Sequence, residues 1–134
     1  MKLLLDTHIL LWTLGNDAKL SRYARELISN PQNDIYYSII SPWEITIKHM
    51  AHPEDFKTSG IELIRFCDET GFRMISIKRE HIVMLEGLKR EENAPIHKDP
   101  FDRILLAQAK ADEMAFITHD GLMSFYNEPC IIKV

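Results

Sequence analysis

Long apolar runs are missing from this chain. Nothing approaches the ~18 to 20 consecutive apolar residues that a membrane span requires, because Asp6 interrupts the first apolar run and Glu44 and Lys48 interrupt the next. Lys2 precedes only three leucines before Asp6, too little for the apolar region of a secretory signal. No membrane association is expected, and a cytoplasmic location is the default. Cysteine is equally scarce: Cys67 and Cys130 lie far apart, and neither belongs to a Cys-x-x-Cys pair or a Cys/His cluster of the kind that holds zinc. Both read as buried thiols in a reducing compartment. Five glycines and six prolines among 134 residues, with 46% hydrophobic and 27% charged, exclude a disordered tail. A globule of this size buries about two thirds of the surface its unfolded chain exposes. Residues 1–134 therefore read as one domain that needs no disulfide or structural metal. A basic excess is also absent. Sixteen Lys+Arg against twenty Asp+Glu leave a formal charge of −4, which excludes a protein that holds duplex DNA by phosphate neutralisation alone.

What is present is an alternation of strand and helix patterns. Residues 2–5 (KLLL) form a short unbroken apolar run, as in a strand buried on both faces of a parallel sheet. The pattern predicts a helix over 8–14 closed by Gly15-Asn16-Asp17, and a second over 21–28 with Tyr23, Ala24, Leu27 and Ile28 on one face. A strand over 34–40 is followed by a helix opened by Ser41-Pro42, with Glu44 placed to close a capping box with Ser41. Further helices are expected over 59–70, 80–88 and from Asp99-Pro100 to about Asp112. Strands are expected over 72–77, 115–118 and 130–134, with a turn or short helix over 121–126. The fold class is α/β: a central parallel sheet of about five strands with helices on both sides.

Four acids fall at informative places in that order. Asp6 follows the first strand, Glu44 lies on the helix after the second, Asp102 is in the first turn of the Asp99 helix, and Asp120 follows the fourth strand. Parallel strands place their carboxyl ends on one edge, where ligand sites of open α/β sheets form, so the four acids can converge. Carboxylates brought together repel and take up protons unless a divalent cation neutralises them. Mg²⁺ or Mn²⁺, which accept oxygen ligands, suit such a cluster. A cation there activates water and stabilises charge developing on a phosphodiester. Each acid also has a plainer reading: Asp6 as a helix cap, Glu44 in the capping box, and Asp99, directly before Pro100, as an N-cap. Arg103 either pairs with Asp99 at i, i+4 or binds phosphate. Thr118 either orients a carboxylate or closes a turn. His8 and His119 are the two histidines near the acids, and no HExxH spacing occurs among the six. Trp12 and Trp43 read as core or interface residues. Between residues 73 and 103 seven basic residues face six acids, a mixed surface that either lines an RNA path or is simply solvated.

LLLDTHILLW at 3–12, SPWEITIK at 41–48, HKDPFDRILLAQA at 97–109 and FITHDG at 116–121 resemble, in order and spacing, the signature segments of PIN-domain nucleases. Within that family they look most like the VapC-like toxins of bacterial and archaeal toxin–antitoxin pairs. The resemblance spans the whole chain. It implies a PIN-like fold, a metal-dependent endoribonuclease cleaving RNA phosphodiesters, a partner antitoxin protein and a homodimer. Asp6 and Asp102 would be the principal Mg²⁺ or Mn²⁺ ligands, Glu44 would help hold the metal or activate water, Asp120 would complete the site, and Thr118 would orient the acids. Asp99 belongs to the DPFDR variant of the third segment and has no general counterpart in the family. The expected dimer surface is Leu11, Trp12 and the face from Tyr23 to Ile28.

Two other classes compete. Phosphatases of the haloacid dehalogenase type also begin with an apolar strand ending in Asp, but they need a second acid two residues later, where this chain has His8. A non-catalytic PIN-fold protein working through RNA or antitoxin contacts would be favoured by loss of any of the four acids, and none is lost.

Overall fold

The computed structural model describes residues 1–134. Its five strands are β1 (Lys2–Leu5), β2 (Asp34–Ser38), β3 (Arg73–Ile75), β4 (Ala115–Thr118) and β5 (Ile131–Lys133). They form one sheet in the order β3-β2-β1-β4-β5, and every pairing is parallel. The connections carry α1 (Thr7–Leu14) and α2 (Arg22–Ser29), then α3 (Ile40–Ala51) and α4 (Gly60–Thr70), then α5 (Arg79–Glu86) and α6 (Pro100–Ala111). A 3₁₀ turn, Gly121–Phe125, links β4 to β5.

The period of two along β1 explains the layering. Leu3 and Leu5 enter one core with Ile9, Leu10, Ala24, Ile45 and Leu63, contributed by α1 to α4. Leu4 enters the other with Leu105, Leu106, Phe116 and Met123, contributed by α6, β4 and the 3₁₀ turn. Because helices cover both faces, all three leucines are buried, each worth about 1.5–3 kcal/mol relative to exposure. A strand without polar alternation is what such a position demands.

Several boundaries differ from the sequence expectation. β2 ends at Ser38 and β3 spans only Arg73–Ile75. The Ser41–Glu44 capping box does not form. α3 begins at Ile40, its cap residue Ile39 makes no side-chain cap bond, and Ser41 lies inside the helix, 2.8 Å from the Thr7 hydroxyl. Starting the helix earlier turns Glu44 toward the interior. Trp43 is 56% exposed, not a core residue, and meets Phe101 edge-on at 5.3 Å. Leu11, Trp12, Leu27 and Ile28 pack against the first core and leave Tyr23 as the exposed member of the expected dimer face. Cys67 is buried and Cys130 half-buried, both free; burial pushes the Cys67 thiol up to about 12, an unreactive state.

Gly60 opens α4 where it crosses α3. A Cβ there would lie 1.9 Å from the Thr46 hydroxyl and 2.9 Å from the Pro42 carbonyl oxygen. Thr46 already donates to that carbonyl, so neither atom moves freely. Gly60→Ala is expected to destabilise by about 1–3 kcal/mol, read as a lower urea midpoint at unchanged slope.

Candidate active site

Strand order reverses between β1 and β4: the chain runs from β1 to β2 and β3 on one side, then returns to β4 and β5 on the other. That switch point leaves a crevice at the carboxyl ends of β1 and β4. Asp6 follows β1, and its N–H donates to the Ile117 carbonyl. Its Oδ1 accepts the Thr7 N–H at 2.7 Å, capping α1, while Oδ2 accepts the Thr118 hydroxyl at 2.7 Å. The Asp120 N–H donates to the same Thr118 oxygen at 3.1 Å, and Asp120 Oδ1 caps the 3₁₀ turn by accepting the Leu122 N–H. One hydroxyl thus ties the acids of two strands together.

The third acid arrives from α6. Asp99 caps that helix, accepting from the N–H groups of Phe101 and Asp102 at 2.9 and 3.3 Å. Asp99 makes no ion pair with Arg103, so the expected i, i+4 bridge is absent. Asp6, Asp99, Asp102 and Asp120 line one cavity of about 290 Å³ with His8, Trp12 and His119. Three helical N-termini point at it, those of α1, α6 and the 3₁₀ turn, and their N–H groups favour negative charge.

That help is insufficient for the third acid. Burial raises the Asp6 carboxyl to about 6 despite the opposing bonds from Thr118 and Thr7. Burial and the neighbouring charges of Asp6, Asp99 and Asp120 push Asp102 to about 9. Asp6, better supplied with donors, ionises first, and Asp102 keeps its proton at neutral pH.

Glu44 lies outside the cavity lining, yet its charge acts on Asp6. It is buried; Lys48 donates to its Oε2 at 2.5 Å, while Oε1 has no partner. His97 was missed by the sequence reading. Its side chain is 1% exposed and its Nε2 lies 3.5 Å from Asp102 Oδ2. His97, Asp102 and Asp120 present ligand atoms all within 4.8 Å of one another. The donor set fits a divalent cation: clustered carboxylates that hold a proton for want of positive charge, and two buried polar atoms, Glu44 Oε1 and His97 Nε2, without partners.

The PIN-domain profile matches residues 3–125. The chain belongs to the PIN-domain family. The family is one of nucleases, and this PIN domain carries its acid cluster where the topology puts a ligand site. No curated protein sequence matches it significantly. Among solved structures it is similar to VapBC2 from Rickettsia felis bound to a DNA fragment from its promoter, with a TM-score of 0.66 and 14% identity over 100% of this chain and 98% of that one. A toxin–antitoxin complex from Klebsiella pneumoniae gives 0.59 and 20% identity, covering 97% and 95%. VapBC-1 from nontypeable Haemophilus influenzae gives 0.56 and 17%, covering 90% and 87%. At these identities the likeness shows the fold. No helix of this PIN domain is long and apolar enough to cross a membrane.

Thr118 offers a direct check on how the acids are held. Thr118→Val keeps the shape of the side chain and removes its bonds to Asp6 and Asp120. If these acids hold a divalent cation, affinity for Mn²⁺ is expected to fall by about 10- to 100-fold, the usual cost of losing a group that orients a metal ligand. Titration calorimetry measures it.

Proposed function

We propose that this PIN domain is a Mg²⁺- or Mn²⁺-dependent endoribonuclease and the toxin of a toxin–antitoxin pair. The observation that carries the proposal is the convergence of Asp6, Asp102 and Asp120 on one cavity in which one of the acids holds its proton far above the ordinary range. Such a cluster is costly as a structural device and useful as a cation site. When bound, a divalent cation supplies the Lewis-acid charge that activates water and offsets charge developing on a phosphodiester.

Asp6 and Asp102 are the principal ligands in this reading, and Asp120 completes the set. Thr118 fixes the rotamers of Asp6 and Asp120 relative to each other. Glu44, buried with one free oxygen, holds a water or the cation from the α3 side. Arg103 is free of Asp99 and serves a substrate phosphate.

The opposite wall is aromatic. His8 stacks on Trp12 at 6.2 Å, and His119 meets Trp12 edge-on at 5.4 Å. Flat side chains beside acids suit a base splayed out of a single strand, which favours single-stranded RNA over a duplex. The toxin reading is supported by three similar structures that are all toxin–antitoxin complexes. A protein antitoxin and a second copy of this chain are the partners proposed.

Incubation with single-stranded RNA tests the activity. Cleavage with Mg²⁺ or Mn²⁺ that stops on adding EDTA is expected. Cleavage that continues undiminished in the chelator would sink the metal-dependent reading.

A further inference from the structure

The buried imidazole of His97 has no satisfied role among the contacts described so far. Its Nδ1 meets the Tyr126 hydroxyl at 2.9 Å. Its Nε2 is inaccessible to solvent and lacks a hydrogen-bond partner. The Asp102 oxygen it faces is 3.5 Å away, too far for a good bond. A buried ring nitrogen without a partner is rare in folded proteins.

The surroundings hold this ring deliberately. The connection between α5 and α6 is pinned to the end of the 3₁₀ turn and the segment after it by the Glu91 N–H to the Phe125 carbonyl and the Asn127 N–H to the Lys89 carbonyl, each 2.8 Å. Arg90, in the same connection, lies over the Tyr126 ring at 5.1 Å and bonds the Pro95 carbonyl. Tyr126 is buried and meets the His97 ring edge-on at 5.7 Å. The hydroxyl of Tyr126 therefore sets the orientation of the imidazole and leaves Nε2 aimed at Asp102 and Asp120.

We infer that His97 Nε2 is a direct ligand of a divalent cation shared with Asp102 and Asp120. The ligand atoms of the three residues, within 4.8 Å of one another, are close to the roughly 3–4.4 Å separations that bonds of about 2.0–2.2 Å to one ion produce. With a cation on Nε2, Nδ1–H donates to the Tyr126 oxygen 2.9 Å away, the usual outer partner of a ligating histidine. One nitrogen among oxygen donors moves the preference from hard Mg²⁺ toward Mn²⁺ and other first-row cations. The inference rests on the metal-dependent reading above and adds a ligand that none of the four acids supplies.

The test is pulsed electron paramagnetic resonance of the full chain loaded with Mn²⁺, with titration calorimetry of Mn²⁺ and Mg²⁺ alongside. A nitrogen coupling to Mn²⁺ is expected. It should vanish in His97→Gln and persist in the His8→Gln/His119→Gln double variant, which removes the other two nearby imidazoles. His97→Gln should lower Mn²⁺ affinity by about tenfold or more while changing Mg²⁺ affinity much less. Should His97→Gln fail to fold, persistence of the coupling in the double variant supports the assignment, and its loss there overturns it. Mn²⁺ that binds in an Asp102-dependent way with no nitrogen coupling, or with one that survives His97→Gln, overturns this inference and leaves the nuclease reading standing. Mn²⁺ binding indifferent to both Asp6→Asn and Asp102→Asn overturns the two together.

Discussion

Asp102→Asn is expected to lower RNA cleavage by at least about 100-fold and to make the metal-free protein more stable than the parent at neutral pH. The first effect follows from removing a ligand of the cation that offsets charge developing on the phosphodiester, since losing a single electrostatic contact of that kind already costs about 10²–10³. The second follows from the sign of the proton linkage. Asp6 and Asp102 ionise near 3.8 when unfolded and near about 6 and about 9 when folded. Across that interval the folded state binds more protons than the unfolded state, so stability falls as pH rises. In EDTA the parent should lose stability steadily between about pH 4 and pH 9, with the Asp6 share spent by about pH 6 and the Asp102 share continuing to about pH 9. Asparagine cannot ionise, so the upper part of that slope should flatten. Urea unfolding in EDTA at stepped pH measures the slopes, and an Asp102→Asn protein that is less stable than the parent at pH 8 would mark Asp102 as a structural residue.

Saturating Mn²⁺ should reverse the penalty in the parent alone. A cation that binds only the folded state at a hundred times its dissociation constant adds about 2.7 kcal/mol. For a chain of 134 residues that is a rise of several degrees in melting temperature. Asp6→Asn and Asp102→Asn should show little of it, because each removes a ligand and part of the repulsion that the ion relieves. Differential scanning calorimetry with Mn²⁺ and with EDTA gives the comparison. Equal responses from parent and variants would show that the acids do not share one ion.

The acids were legible because Asp6 directly follows one apolar strand, Asp120 comes two residues after another, and Asp102 lies in the first turn of a well-marked helix, positions that topology alone sends to one edge. The unbroken leucines of β1 announced a strand covered on both faces. What escaped had its cause in contacts distant along the chain. Ser41 looked like a cap until its hydroxyl was taken by Thr7, which lies on another helix. Arg103 makes no ion pair with Asp99, whose Oδ1 instead caps the helix N-terminus. His97 carries no local signal, since the residue that orients it is Tyr126. The only hint was its place at the head of the segment HKDPFDR. Trp43, read as core or interface, is not in the core: it is exposed on α3 and meets Phe101 edge-on.

The hydrogen bond from Thr118 to Asp6 joins residues 112 positions apart in the chain, and that separation sets when the proposed activity can begin. At about 5–20 residues per second, the ribosome takes on the order of ten seconds to travel from one to the other. Until β4 emerges and inserts beside β1, Asp6 lacks its hydroxyl donor and Asp120 does not exist. On the proposed nuclease reading, a growing chain is therefore inert toward the RNA around it, including the message being read, and gains its activity only after the central pair of strands has closed. Truncations ending before residue 115 should be harmless to the cell that makes them.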